Sequence, residues 1–181
     1  MGLYIESVKM HIKATLEYKR SFIIGFVSQF FVFFTYYFII IALFSKFENI
    51  KGFTLYEVLL TFAVIQFGYS FNEVFARGFD LFDDLIVNGE FDRLLVRPRS
   101  IILQVFCSKM DLVKSSRLLQ SIIFLVIAVL NVNIDWDIYK VITLLLMLLS
   151  AIVIFFSIFL LASAYCFVTV QGLEVRNVFT D

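Results

Sequence analysis

The sequence predicts an all-α, polytopic membrane protein: four transmembrane helices, an N-terminal interfacial amphipathic helix and a charged cytoplasmic hook. Three observations predict it. Of 181 residues, 61% are hydrophobic, with 24 Phe, and only 17% are charged, whereas a soluble domain is about half apolar and about a quarter charged. Uncharged runs of membrane-crossing length recur along the chain. The single proline, Pro98, lies in a charged segment between two such runs, so it breaks none of them.

Composition also narrows the function classes. Formal net charge is zero, so no basic excess points to nucleic acid. Cys107 and Cys166 form neither a CxxC pair nor a metal-ligand spacing, and His11 is the only histidine, so no metal site is expected.

Residues 1–20 read as the interfacial helix. Tyr4, Val8, Ile12 and Leu16 recur every four residues, while Lys9, Lys13 and Glu17 form a polar row on another face. The alternative is a helix packed on other cytoplasmic segments.

Span one covers 21–45, uncharged throughout. A crossing helix needs about 20 apolar residues. The sixteen Phe, Ile, Leu and Val residues here sum to at most about −7 kcal/mol on an insertion scale, which outweighs Gln29. The run is too long for the apolar core of a signal peptide. Span two covers 55–76. Only 15 uncharged residues separate Glu57 from Glu73, so each acid is expected at an interface. If Glu73 instead faces a bundle interior, it is an intramembrane acid and a functional candidate.

Span three covers 118–134. Span four covers 141–170, within an uncharged run of 33 residues from Val141 to Leu173, and is read as one long helix ending near Gly172. Thr143, Ser150, Ser157 and Ala164 recur at sevens along it, a stripe suited to helix packing or to lining a path. A cytoplasmic tail, 171–181, follows.

Lys and Arg set the orientation. With the N-terminus inside, the inner side holds twelve of them and the outer side holds Lys46, Lys51 and Lys140. Both termini are then cytoplasmic, and Trp136 marks the outer interface.

Residues 77–117 form the hook with its helix extensions. The helix of span two is expected to continue past the membrane, with Arg77 spaced at i,i+3 from Asp80 and i,i+7 from Asp84. Asn88-Gly89 stops it. Phe91, Leu94 and Leu95 lie at i, i+3, i+4, so one helical turn presents all three on one face. Pro98 ends that turn and biases Arg97 to extended geometry. Ser100 then caps a new helix that runs on into span three. The outcome is a small apolar knob rimmed by Glu90, Asp92, Arg93 and Arg97, suited to docking in a groove or to covering neighbouring helices.

The stretch GFDLFDDLIVNGEFDRLLVRPRSIILQVF resembles the membrane subunits of ATP-binding-cassette exporters of the second type, in the small permease group once listed only as a domain of unknown function. The matching positions are Gly89, Glu90, Phe91, Asp92, Leu95, Arg97 and Pro98, and the resemblance extends along essentially the whole chain. It implies that the hook is a coupling helix seated in a separate ATPase subunit. Phe91, Leu94 and Leu95 would be buried there, with Glu90, Asp92, Arg93 and Arg97 orienting the docking. It further implies no cofactor on this chain, with ATP and Mg on the ATPase, and a second permease, the same or related. The setting would be a bacterial inner membrane and the direction export.

No GxxxxGK[ST] loop is present, so ATP hydrolysis is expected on a partner rather than here. Polar groups at membrane depth, Gln29, Gln66 and Glu73 with a few hydroxyls, are too sparse for an intramembrane enzyme. Permeases of this kind generally have six spans and four are found. A shortened or regulatory membrane protein without transport activity of its own is therefore the second expectation. The apolar and aromatic spans are compatible with lipid-like, antibiotic or peptide cargo.

Overall fold

The computed structural model describes residues 2–47 and 49–166. Span four beyond Cys166, its expected end near Gly172, the tail with Arg176, and the side chains of Tyr4 and Leu16 lie outside the described residues. The described residues form helices α1 (Gly2–Glu17), α2 (Lys19–Phe44), α3 (Leu55–Phe75), α4 (Arg77–Asp80), α5 (Phe82–Val87), α6 (Glu90–Leu95), α7 (Ile101–Ser108), α8 (Ser115–Asn131) and α9 (Ile138–Cys166), with a 3-10 turn at Leu112–Lys114. Among them the one β feature is an isolated bridge between Ile50 and Phe53. Four stretches are long and apolar enough to cross a membrane: Lys19–Phe44, Leu55–Phe75, Leu112–Asn131 and Ile138–Cys166.

The chain divides into two compact units. One comprises the described residues of Met1–Glu17, Asn72–Leu112 and Phe155–Asp181, the other Tyr18–Phe71 and Val113–Ile154.

In the second unit, Leu59 and Ala63 of α3 and Phe124 and Ala128 of α8 form a buried cluster, each pair spaced i,i+4 on one helix face. Tyr37 stacks on Phe124 with ring centroids 4.7 Å apart, and Phe34 meets it edge-on at 5.7 Å. Buried Gln120 lies against α2, its amide bonding Phe30 O (3.2 Å) and the N–H of Phe34 (3.0 Å) when its nitrogen faces the former. Close approach of α3 and α9 rests on Gly68: a Cβ there would lie 2.6 Å from Ala151 Cβ and 2.7 Å from Ala151 C.

The α2–α3 connection turns tightly at Lys51 and Gly52, with φ of 52° and 88° and reciprocal bonds between Ile50 and Phe53. Thr54 then starts α3. Glu57 Oε2 accepts from the Thr54 N–H (2.8 Å) and the Thr54 hydroxyl (2.9 Å), satisfying a helix-end donor. Thr54-x-x-Glu57 has the spacing of a capping box and forms the half in which Glu57 bonds the Thr54 N–H, so local helix chemistry fixes the Glu57 carboxylate.

In the first unit, Val74, Ala76, Phe79, Phe82, Leu85, Val105 and Phe159 are buried. Phe79 packs edge-on against Phe156 at 5.5 Å, and both rings meet Phe106. The Ser163 hydroxyl lies 2.7 Å from Phe79 O and 2.8 Å from Phe159 O, in reach of both carbonyls.

Helix α1 packs on α7, with His11 Nε2 3.4 Å from Cys107 O. Val8, His11 and Thr15 are its partly covered described positions, and Lys9, Lys13 and Glu17 are exposed. Ile12, expected in line with Val8, is instead exposed, at 38%. The packed alternative weighed for this helix thus has direct contacts behind it.

Candidate functional site

The hook is built from three breaks in helical backbone. Helix α3 ends at Phe75 rather than running on: Ala76 (φ −112°, ψ 22°) and Leu81 (φ −105°, ψ 29°) leave helical geometry. The bends seat Gly78 against α7, where an added Cβ would lie 2.0 Å from Val105 O. Because the helix is broken, the i,i+7 alignment of Arg77 with Asp84 does not form. Arg77 pairs with Asp80, and its Nη1 lies 3.6 Å from Glu73 Oε1. Asp84 pairs with Lys109 (3.1 Å).

The second break follows the sequence expectation. Gly89 adopts φ 66°, the left-handed conformation, and its N–H donates to Ile86 O (3.0 Å). Helix α6 then spans Glu90–Leu95. The third break surrounds Pro98, where the Arg99 N–H donates to Arg97 O (2.7 Å). Ser100 occupies the N-cap position of α7 without a side-chain cap bond. Helix α7 stops at Ser108, with extended Lys109 following, so it too falls short of the continuous run into span three.

One residue closes the hook. The Gln104 amide donates to Leu94 O (3.2 Å) and to Arg99 O (3.0 Å), on either side of Pro98. Its side chain is buried and its Oε1 has no hydrogen-bond partner among the described residues. Sequence reasoning missed this brace: a glutamine inside an apolar helix carries no local mark of what it will bond.

The three apolar residues expected on one knob are divided by the structure. The Phe91 ring packs edge-on against Phe82 at 5.1 Å, inside the unit, and Leu94 is half-buried. Leu95 is 51% exposed, and Val96, overlooked in the sequence, is 86% exposed. At α6 and the turn after it the exposed apolar side chains are Leu95 and Val96; Val87 of α5 and Ile101, Ile102 and Leu103 of α7 are exposed as well. Asp92, Arg93, Arg97 and Pro98 are exposed around Leu95 and Val96, as is Glu90. A cavity of about 690 Å³ adjoins the hook, lined in part by Glu6, Met10, Leu94, Arg97, Gln104 and Cys107. Burial pushes the Cys107 thiol up from its usual range.

Glu73 is buried with its carboxylate against Arg77. That places it inside protein rather than at a free interface. Thr143, Ser150, Ser157 and Ala164 are all exposed on α9, and the buried positions of that helix are Ala151, Phe159 and Ser163. Among the described residues the stripe is therefore not buried. Arg117, expected just outside span three, stands two residues from the start of α8 and donates through Nε to Gln29 Oε1 of α2 (2.8 Å).

Among the described residues, four helices long and apolar enough to cross a membrane, with a braced polar turn between the second and third, mark a polytopic integral membrane protein. The chain belongs to the ABC-2 family transporter proteins, whose family model matches residues 30–181. No curated protein and no solved structure matches the chain. Membership makes it a membrane component of an ABC transporter, not itself catalytic, and implies an ABC ATPase as partner.

Proposed function

We propose that this chain is the membrane subunit of an exporter and that its hook, centred on α6, docks a separate ABC ATPase. A second permease, the same chain or a related one, completes the translocation path. ATP and Mg bind the ATPase, and both termini face the cytoplasm of a bacterial cell across its inner membrane.

The observation that supports docking best is the exposed apolar pair Leu95 and Val96 at the tip of a cross-braced turn. Burying two such side chains is favourable by about 1.5–3 kcal/mol each. The surrounding Glu90, Asp92, Arg93 and Arg97 set orientation and encounter rate more than affinity. Bracing has a mechanical sense. A hook that transmits ATPase closure to the spans must move as a body, and Gly89, Pro98 and Gln104 fix its two ends. The exposed stripe Thr143, Ser150, Ser157 and Ala164 is available to the second permease or to the path.

Co-purification tests the docking. Leu95→Asp combined with Val96→Asp is expected to weaken ATPase association at least about tenfold, a loss of about 1.4 kcal/mol or more. Both positions are exposed, so the fold should survive. ATPase retained by the double variant at the wild-type level refutes the docking surface.

A further inference from the structure

The cavity of about 690 Å³ beside the hook is built within the first unit, from α1, the turn after α6 and α7. It follows α7 from Arg99 to Ser108, about 14 Å at the helical rise. Its volume falls inside the range of ligand pockets, about 300–1,000 Å³. Met10, Leu94 and Pro98 supply apolar wall.

Charge narrows the occupant. Glu6, Arg97 and Arg99 line the cavity and are exposed. None of the three has an ion pair or a side-chain hydrogen bond among the described residues. A carboxylate and two guanidiniums thus share one cavity without neutralising each other. Other polar side chains of the lining are committed. The Ser108 hydroxyl donates to Val105 O (2.7 Å), and Gln104 Nε2 serves Leu94 O and Arg99 O. Gln104 Oε1 is left over, a buried acceptor with no partner among the described residues. A plain anion would leave Glu6 opposed to it, and a plain cation would meet two guanidiniums. A ligand carrying both charges suits the lining best.

We propose that this cavity binds a zwitterion in which a phosphate and a primary ammonium share one small headgroup on an apolar body. Arg97 and Arg99 take the phosphate, whose oxygens suit the forked N–H groups of guanidinium. Glu6 takes the ammonium, and ammonium N–H groups are the kind of donor that Gln104 Oε1 lacks. Met10, Leu94 and Pro98 cover the start of the apolar body. Ser108 stands four residues before the membrane-capable stretch Leu112–Asn131, at most about 14 Å of extended chain. The headgroup of a bilayer lipid and a soluble zwitterion can therefore both reach the cavity, and the chemistry recognised is the same. Only Arg97 is shared with the docking surface. The binding needs no ATPase, so its failure would leave that surface untouched.

The test uses the full chain in dodecyl maltoside micelles, with empty micelles subtracted and radiolabelled dihexanoyl phosphatidylethanolamine as probe. Saturable binding is expected, tighter than that of dihexanoyl phosphatidylglycerol, which has the phosphate but no ammonium. Arg99→Gln should lower the probe's affinity at least about tenfold, the effect of losing one charge-assisted contact. Glu6→Gln should also weaken the probe but strengthen phosphatidylglycerol, an opposite response that a simple anion site cannot give. Both positions are exposed, so the fold should survive. Undiminished probe binding to either folded variant overturns the proposal. Wild-type affinity for phosphatidylglycerol equal to that for the probe overturns it even if the variants fail to fold. In phosphatidylcholine nanodiscs, displacement of the bound probe by long-chain phosphatidylethanolamine in the disc assigns the site to a bilayer lipid. Probe binding that survives it assigns the site to a soluble zwitterion.

Discussion

Gln104 shows how much one side chain decides here. Its amide holds Leu94 O and Arg99 O while its own Oε1 stays buried with no partner among the described residues. Gln104→Leu removes two hydrogen bonds, each about 0.5–1.5 kcal/mol net, and also removes an unsatisfied acceptor that costs about 1–3 kcal/mol. These effects nearly cancel, so global stability should change little. The hook itself should loosen, because Leu94 O and Arg99 O lose their shared anchor. Faster tryptic cleavage after Arg99 at an unchanged melting midpoint is the expected result, and unchanged cleavage would show that the brace is dispensable. Sequence reasoning found the residues that break the chain, Gly89 and Pro98, because their conformational limits are intrinsic. It did not find Gln104, whose partners are set only by how the chain folds back.

At the level of elements, the span-two helix is expected to run on and instead stops at Phe75. Local propensity favours continuation through FARGFDLFDD. What overrides it is tertiary packing, with α4 laid so closely on α7 that only a residue without a Cβ fits at position 78. Gly78→Ala would place its Cβ 2.0 Å from Val105 O and 2.5 Å from Ser108 Oγ, so backbone must move. We expect a loss of about 1–3 kcal/mol, seen as a lower aggregation temperature in detergent. A variant as heat-resistant as wild type would mean that α4 and α7 do not approach this closely. The same break explains why Asp84 pairs with Lys109 and not Arg77. It also bears on the knob: a helix turned this way carries Phe91 inward to Phe82 and leaves Leu95 and Val96 outward.

At the scale of the whole molecule, orientation is the property on which the transport reading turns. With the spans as read from the sequence, twelve of fifteen Lys and Arg residues fall on the side of the N-terminus, which favours that side as cytoplasmic. A membrane-impermeant maleimide applied to intact cells should label Asp135→Cys and spare Arg93→Cys, in a chain with Cys166 replaced by Ser. Cys107 adds little background, since burial pushes its thiol up and leaves less of the reactive thiolate at neutral pH. The reverse labelling pattern would place the hook outside and end the docking scheme. By itself the sequence determined which stretches are apolar and long enough to enter a bilayer and where the chain must turn between them. Those properties are sums and limits over neighbouring residues. Only the tertiary structure decided that Arg117 meets Gln29 across 88 positions, that Glu73 is buried beside Arg77 and that Val96 rather than Phe91 faces outward. The reason is physical: a polar group at depth takes whichever partner packing brings within about 3 Å, and no local pattern encodes that neighbour.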